Sequence, residues 1–281
     1  MINRELEKIY NKIVDVYPFL SEKERIDFEK KAKNLIKKTL FSKKGVGFLL
    51  NLLKNPHAYL WVWKKPSLAK IRKKRKVLSK IENRILSLTI PSWSGELGVL
   101  DKKLIDICVK NIERYDGILI DVRNNQGGNS RIAHSFASIF FKTPCVYGKF
   151  IKRKEGGKLF SVTAVLQPNS EIYLDKSIVI LTSNKCFSSN ELFLAPFKVS
   201  GRAILIGEKT RGGSGNPMQE EVNLGHKKII VLIPTWRFFL ARNNDPIEKT
   251  KINPDIIYKK KNILNFAVKY LQEKSSHSKS S

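Results

Sequence analysis

From about residue 85 onward, short runs of Ile, Val and Leu alternate with stretches of helical spacing. The runs lie at 85–90, 117–122, 178–182, 203–206 and 229–233. They do not alternate polar with apolar residues, which predicts strands covered on both faces, as in parallel sheets flanked by helices. Helical patterns at 103–113, 130–141 and 189–199 lie between several of them. Strand–helix alternation predicts an α/β core over residues 85–272.

The first 60 residues read differently. Leu6, Ile9, Tyr10, Ile13 and Val14 form an apolar stripe at helical spacing. Ser21, three residues before Glu24, has the pattern of a capping box opening a second helix with Ile26, Phe28, Ala32 and Leu35. A third helix, from about 46 to 53, is stopped by Asn55-Pro56. These features predict an N-terminal helical cap over 1–63, joined to the core by a basic linker at 64–84. The polar residues 273–281 read as a disordered tail.

Charge narrows the function classes. Lys and Arg number 53 against 25 Asp and Glu, a net charge of +28. That balance favours acidic or anionic partners. The run 64–76, KKPSLAKIRKKRK, is the segment best suited to touch an anionic surface or nucleic acid, although no aromatics accompany it for base stacking. The three cysteines, Cys108, Cys145 and Cys186, form no CxxC pair, so neither a cysteine-based zinc site nor a disulfide scaffold is expected. No signal-like apolar segment and no run of 18 apolar residues occurs, and a cytoplasmic protein is expected. No GxGxxG or GxxxxGK[ST] spacing occurs, and no cofactor or metal is expected.

Three strand ends carry residues suited to chemistry. Asp121-Val122-Arg123-Asn124-Asn125-Gln126-Gly127-Gly128 follows one apolar run and precedes a helix. Its paired glycines can expose amide N–H groups to a ligand. Thr182 to Glu191, TSNKCFSSNE, joins another strand to a helix; a serine there could cap the helix or act as a nucleophile beside its free amides. Gly207-Glu208-Lys209-Thr210-Arg211-Gly212-Gly213 follows the next strand.

Taken in order, strand-DxRxNxGG-helix, strand-TSxxxxSSxE-helix and GRAxLxGExTxGGxxNP resemble the C-terminal-processing (tail-specific) serine peptidases over about residues 85–258. The resemblance implies a ClpP/crotonase-like core and puts the nucleophile at Ser188. Where one branch of the family carries a catalytic lysine this chain has Gly213, and Lys209 lies four residues too early. The tricorn-core-like branch instead uses serine, histidine and glutamate. Asn55-Pro56-His57-Ala58-Tyr59 then supplies His57 as base, with Pro56 where that branch has a serine. Glu248, six residues before Pro254, supplies the carboxylate. The other histidines fit less well: His134 lies on a helix, His226 in a turn and His277 in the tail.

The resemblance implies a triad of Ser188, His57 and Glu248, with an oxyanion hole from the amides of Gly127 or Gly128 and of Ser189. The substrate would be a peptide or unfolded protein segment, cleaved through an acyl-enzyme. Only about 28 residues separate His57 from the first core strand, too few for the PDZ domain common in such peptidases. Two other readings are a catalytically inactive relative that binds peptides, and a basic protein associated with nucleic acid. The sequence gives no oligomeric state.

Overall fold

The computed structural model describes residues 4–62, 76–154, 157–213, 215–224 and 227–277. The chain runs α1 (Arg4–Val16), α2 (Glu22–Lys38), α3 (Lys43–Asn51), β1 (Tyr59–Val62), β2 (Leu78–Glu82), β3 (Ile85–Thr89), α4 (Leu100–Val109), β4 (Gly117–Asp121) and α5 (Ser130–Ser138). It continues through β5 (Cys145–Arg153), β6 (Leu159–Leu166), β7 (Ser177–Thr182), α6 (Ser189–Ser200), β8 (Ile204–Gly207) and β9 (Pro217–Leu224). The last elements are β10 (Lys227–Pro234), β11 (Trp236–Leu240), α7 (Ile247–Thr250), β12 (Ile256–Ile257) and α8 (Ile263–His277).

These elements divide into two units. One comprises 1–72, 149–163 and 213–239; the other comprises 73–148, 164–212 and 240–281. Strands β5, β6 and β11 form a further small sheet in the order β11-β5-β6.

In the first unit, α1 buries Leu6, Ile9 and Ile13 completely. Their partners include Phe28 and Ala32 of α2 and Val46 and Leu49 of α3, together with Val222, Ile229, Val231 and Ile233. The last three are alternate residues of β10, so one face of that strand meets the helices. Strand β10 pairs antiparallel with both β1 and β9, with Tyr59 opposite Leu232. The expected cap of helices alone is therefore incomplete. Three short helices cannot close an apolar core by themselves, and the chain supplies a β-sheet from residues far along the sequence. The run 229–233 is indeed a strand, but it lies in this antiparallel sheet and not among the parallel strands.

The Ser21–Glu24 capping box forms as expected. Glu24 N–H donates to Ser21 Oγ at 3.1 Å, and the Glu24 carboxylate accepts from the Leu20 N–H at 2.7 Å. Glu24 also accepts from Arg237 Nη1 at 2.7 Å, which ties α2 to β11.

The second unit holds a six-stranded sheet in the order β12-β8-β7-β4-β3-β2. Pairs β3–β4, β4–β7, β7–β8 and β8–β12 are parallel; only β2 joins antiparallel. Strand β2 falls within the stretch expected as linker. On one face Leu119, Val179, Leu181 and Ile206 pack on Ile263, Ala267 and Leu271 of α8. Ile118, Ile120 and Ile180, pointing the other way, are also fully buried. Double coverage explains the unbroken apolar runs. Helix α8 extends to His277, past the expected start of the tail.

Because β4, β7 and β8 are parallel neighbours, their carboxyl ends lie on one edge of the sheet. The three motif loops therefore share that edge, where ligands bind in open α/β sheets.

Candidate active site

Ser188 sits immediately before α6 with φ 60° and ψ −131°. A non-glycine residue in that region costs ~1–3 kcal/mol, so surrounding contacts must hold it there. Several do. The Ser188 N–H donates to Glu191 Oε2 at 3.2 Å. Glu191 is fully buried, and its other oxygen accepts from Thr210 Oγ1 at 2.5 Å and from the Gly212 N–H at 3.0 Å. Thr210 Oγ1 in turn accepts from the Ile252 N–H at 2.9 Å. One carboxylate thus fastens the serine turn to the loop after β8, and Thr210 links that loop to the segment after α7.

The glycine loop abuts the serine. Gly127 has φ +101°, and a Cβ there would lie 2.8 Å from Ser188 Cβ and 2.9 Å from the Phe187 carbonyl oxygen. Gly128 has φ +142°, and a Cβ there would lie 2.5 Å from the Trp93 carbonyl carbon. Both positions exclude any larger residue. The Gly127 N–H is already used, donating to Asn125 Oδ1 at 2.8 Å. Of the two expected glycine donors, only Gly128 presents an N–H with no partner among the described residues. The Ser189 N–H, in the first turn of α6, is likewise unpartnered, as is the buried Ser189 Oγ. An anion placed near these amides would also feel the positive end of the helix.

Other side chains of the same motifs, together with the distant Trp93, lock this arrangement. Asn190 is fully buried; its Nδ2 donates to the carbonyls of Asn125 at 3.2 Å and Val122 at 3.4 Å. Its Oδ1 accepts from the buried Trp93 Nε1 at 3.1 Å. Asn125 Nδ2 donates to the Ile90 carbonyl at 3.1 Å. Burial pushes the Cys186 thiol up to about 12, so it stays protonated two residues from Ser188. Asp121 and Arg123 form a two-pronged ion pair at 2.9 and 2.7 Å.

Glu248 is half-buried on α7. That turn packs on Gly212, where a Cβ would lie 2.7 Å from the Ile247 carbonyl oxygen and 3.3 Å from that of Glu248. Ser188, Ser189, Gly127, Gly128 and Glu248 all belong to the second unit.

His57 belongs to the first. It lies between α3 and β1, where the chain turns at Asn55 and enters a strand. Its N–H donates to Asn55 Oδ1 at 2.9 Å, and the residue is 3% exposed. Gly215 leaves room for the ring: a Cβ there would lie 3.5 Å from His57 Cγ. Of the other histidines, His134 is engaged with Tyr147 Oη at 3.2 Å. His226 lies outside the described residues, as do residues 64–75 of the basic run. Among the described residues, no cluster of His, Cys, Asp and Glu could hold a metal, and no helix is long and apolar enough to cross a membrane.

Three solved structures share the fold. A candidate peptidase from Parabacteroides merdae ATCC 43184 matches with TM-score 0.71 at 17% identity, over 94% of this chain and 93% of its own. A lipoprotein from Streptococcus agalactiae matches with TM-score 0.66 at 20% identity, over 97% and 96%. Mature CPAF complexed with lactacystin matches with TM-score 0.56 at 14% identity, over 71% of this chain and 53% of its own. The core is of the ClpP/crotonase-like type, as expected. The model of peptidase family S41 matches residues 84–258, which hold the strained serine turn and the glycine loop, and the chain belongs to that family of serine peptidases.

Proposed function

We propose that the chain hydrolyses peptide bonds in peptides or unfolded protein segments, with Ser188 as nucleophile, His57 as base and Glu248 as its orienting carboxylate. The observation that carries this reading is the backbone of Ser188: φ 60° beside two unpartnered N–H groups, those of Gly128 and Ser189. Ser188 also forms a capping box with Glu191 at the start of α6, and the positive φ beside free amides is what an ordinary cap does not require.

In this mechanism His57 takes the proton of Ser188 Oγ as the oxygen attacks the scissile carbonyl. The carbonyl oxygen gains negative charge and accepts hydrogen bonds from Gly128 and Ser189. Each such donor is worth ~3–4 kcal/mol in the transition state. His57 then gives its proton to the leaving amine, and an acyl-enzyme remains on Ser188. Water, activated by the same imidazole, releases the acid. Glu248 holds the imidazole tautomer and stabilises its cationic form.

A fluorophosphonate probe tests the assignment. Labelling is expected at Ser188 and nowhere else, is expected to vanish in Ser188→Ala, and is expected to slow about 10³–10⁴-fold in Glu248→Gln. His57→Ala is expected to slow it at least as much. A folded protein that binds peptide but takes no label at Ser188 would be a binding module instead. We also infer a cytoplasmic location, on the ground that all three cysteines are free and two are buried. Recovery in the membrane or secreted fraction would refute that.

A further inference from the structure

The edge of the sheet that carries Ser188 also carries a concentration of positive charge. Two adjoining cavities of about 330 and 340 Å³ open there, sharing Asn184, Glu208 and Lys259 in their walls. Lys185, Lys209, Arg211, Lys251, Lys259 and Lys260 line one or the other. None of these six forms an ion pair with a carboxylate among the described residues. Among the described residues Glu208 is the only carboxylate in the walls. Arg123, also in the wall, is neutralised by Asp121.

The crevice is joined to the nucleophile turn by the backbone. The Arg211 N–H donates to the Cys186 carbonyl at 2.9 Å. Its guanidinium lies 4.8 Å from the centre of the Phe187 ring, one residue before Ser188. Lys185 lies within the same turn and reaches Asn124 Oδ1 at 3.5 Å.

We propose that this crevice selects substrates with acidic residues beside the scissile bond, their carboxylates held by Lys209, Arg211 and Lys259. The proposal rests on Ser188 being the nucleophile. Six unpaired cations at one edge repel each other, and an incoming carboxylate relieves that repulsion as well as pairing with them. A nucleic acid suits the walls less well. The one aromatic among the described residues of the wall, Tyr258, is already stacked on Phe266 with ring centres 4.4 Å apart and is not free to stack on a base.

The test uses full-length protein carrying Ser188→Ala, so that binding is read without turnover. Fluorescence anisotropy would compare a Glu-rich peptide, the same peptide with Gln for Glu, and a single-stranded oligonucleotide at physiological salt. The Glu peptide is expected to bind at least tenfold more tightly than its Gln counterpart. Adding Lys209→Glu and Lys259→Glu is expected to erase that difference, with Lys209→Gln and Lys259→Gln giving an intermediate loss. Equal affinity for the two peptides would overturn the proposal. So would oligonucleotide binding tighter than that of the Glu peptide and removed by the same substitutions. Fluorophosphonate labelling of the unsubstituted protein runs beside it. Label without Glu preference sinks the crevice alone; Glu preference without label sinks the catalytic assignment and leaves an acidic-peptide binding site.

Discussion

Gly127 bears most directly on whether the serine turn can exist. Its positive φ is strained for any other residue, and its missing side chain is what lets Ser188 Cβ approach. Gly127→Ala is expected to lower thermal stability and to cut the rate of Ser188 labelling about 10–100-fold, since either the loop or the serine must shift to relieve the contact. Labelling at the unsubstituted rate would show that the loop is not part of the site. At this scale the contiguous motifs were legible: Gly-Gly after one strand and Ser-Ser-Asn-Glu after the next. Asn190 was not. Its partner Trp93 is 97 residues away, and nothing in a linear string pairs a buried amide with a distant indole. The glycine donor was legible only as a pair, because the side chain of Asn125 decides which N–H is left over.

Among the elements, α2 shows how one residue can serve two levels of structure. Ser21 only caps, whereas Glu24 both completes the capping box and holds Arg237, which is 9% exposed. Ser21→Ala is expected to cost ~1 kcal/mol. Glu24→Ala is expected to cost more, ~2 kcal/mol, because it also removes a half-exposed carboxylate from a nearly buried cation. Denaturant melts of the two variants would rank them, and equal losses would mean that the ion pair contributes nothing. Helices α1 to α6 and strands β3, β4, β7 and β8 were legible from periodicity and unbroken apolar runs, whereas α7, α8 and the two-residue β12 were not. Strands β5 and β9 were not, since lysines and glutamates break up CVYGKFIKR and PMQEEVNL. Strand β1 was missed because Asn55-Pro56 reads as a helix stop and gives no sign that a strand follows.

The whole molecule responds to acid through groups that folding keeps neutral. Burial holds His134 below the ordinary imidazole range, with the bond to Tyr147 beside it. An imidazole whose folded pKa is depressed contributes stability above its unfolded value, and that contribution is lost as pH falls toward the folded one. Melting temperature is therefore expected to drop between about pH 7 and pH 5, and His134→Gln is expected to flatten that drop. A parallel decline in both proteins would assign acid sensitivity elsewhere. The two units differ in how their segments are drawn from the chain. The helical unit takes three separate stretches, and the sheet unit takes the stretches between and after them. No single cut releases either one whole, and no single genetic crossover can exchange one for a foreign module. The histidine-bearing part and the serine-bearing part must be inherited together, so specificity in this lineage can change by substitution at the sheet edge far more readily than by shuffling of domains.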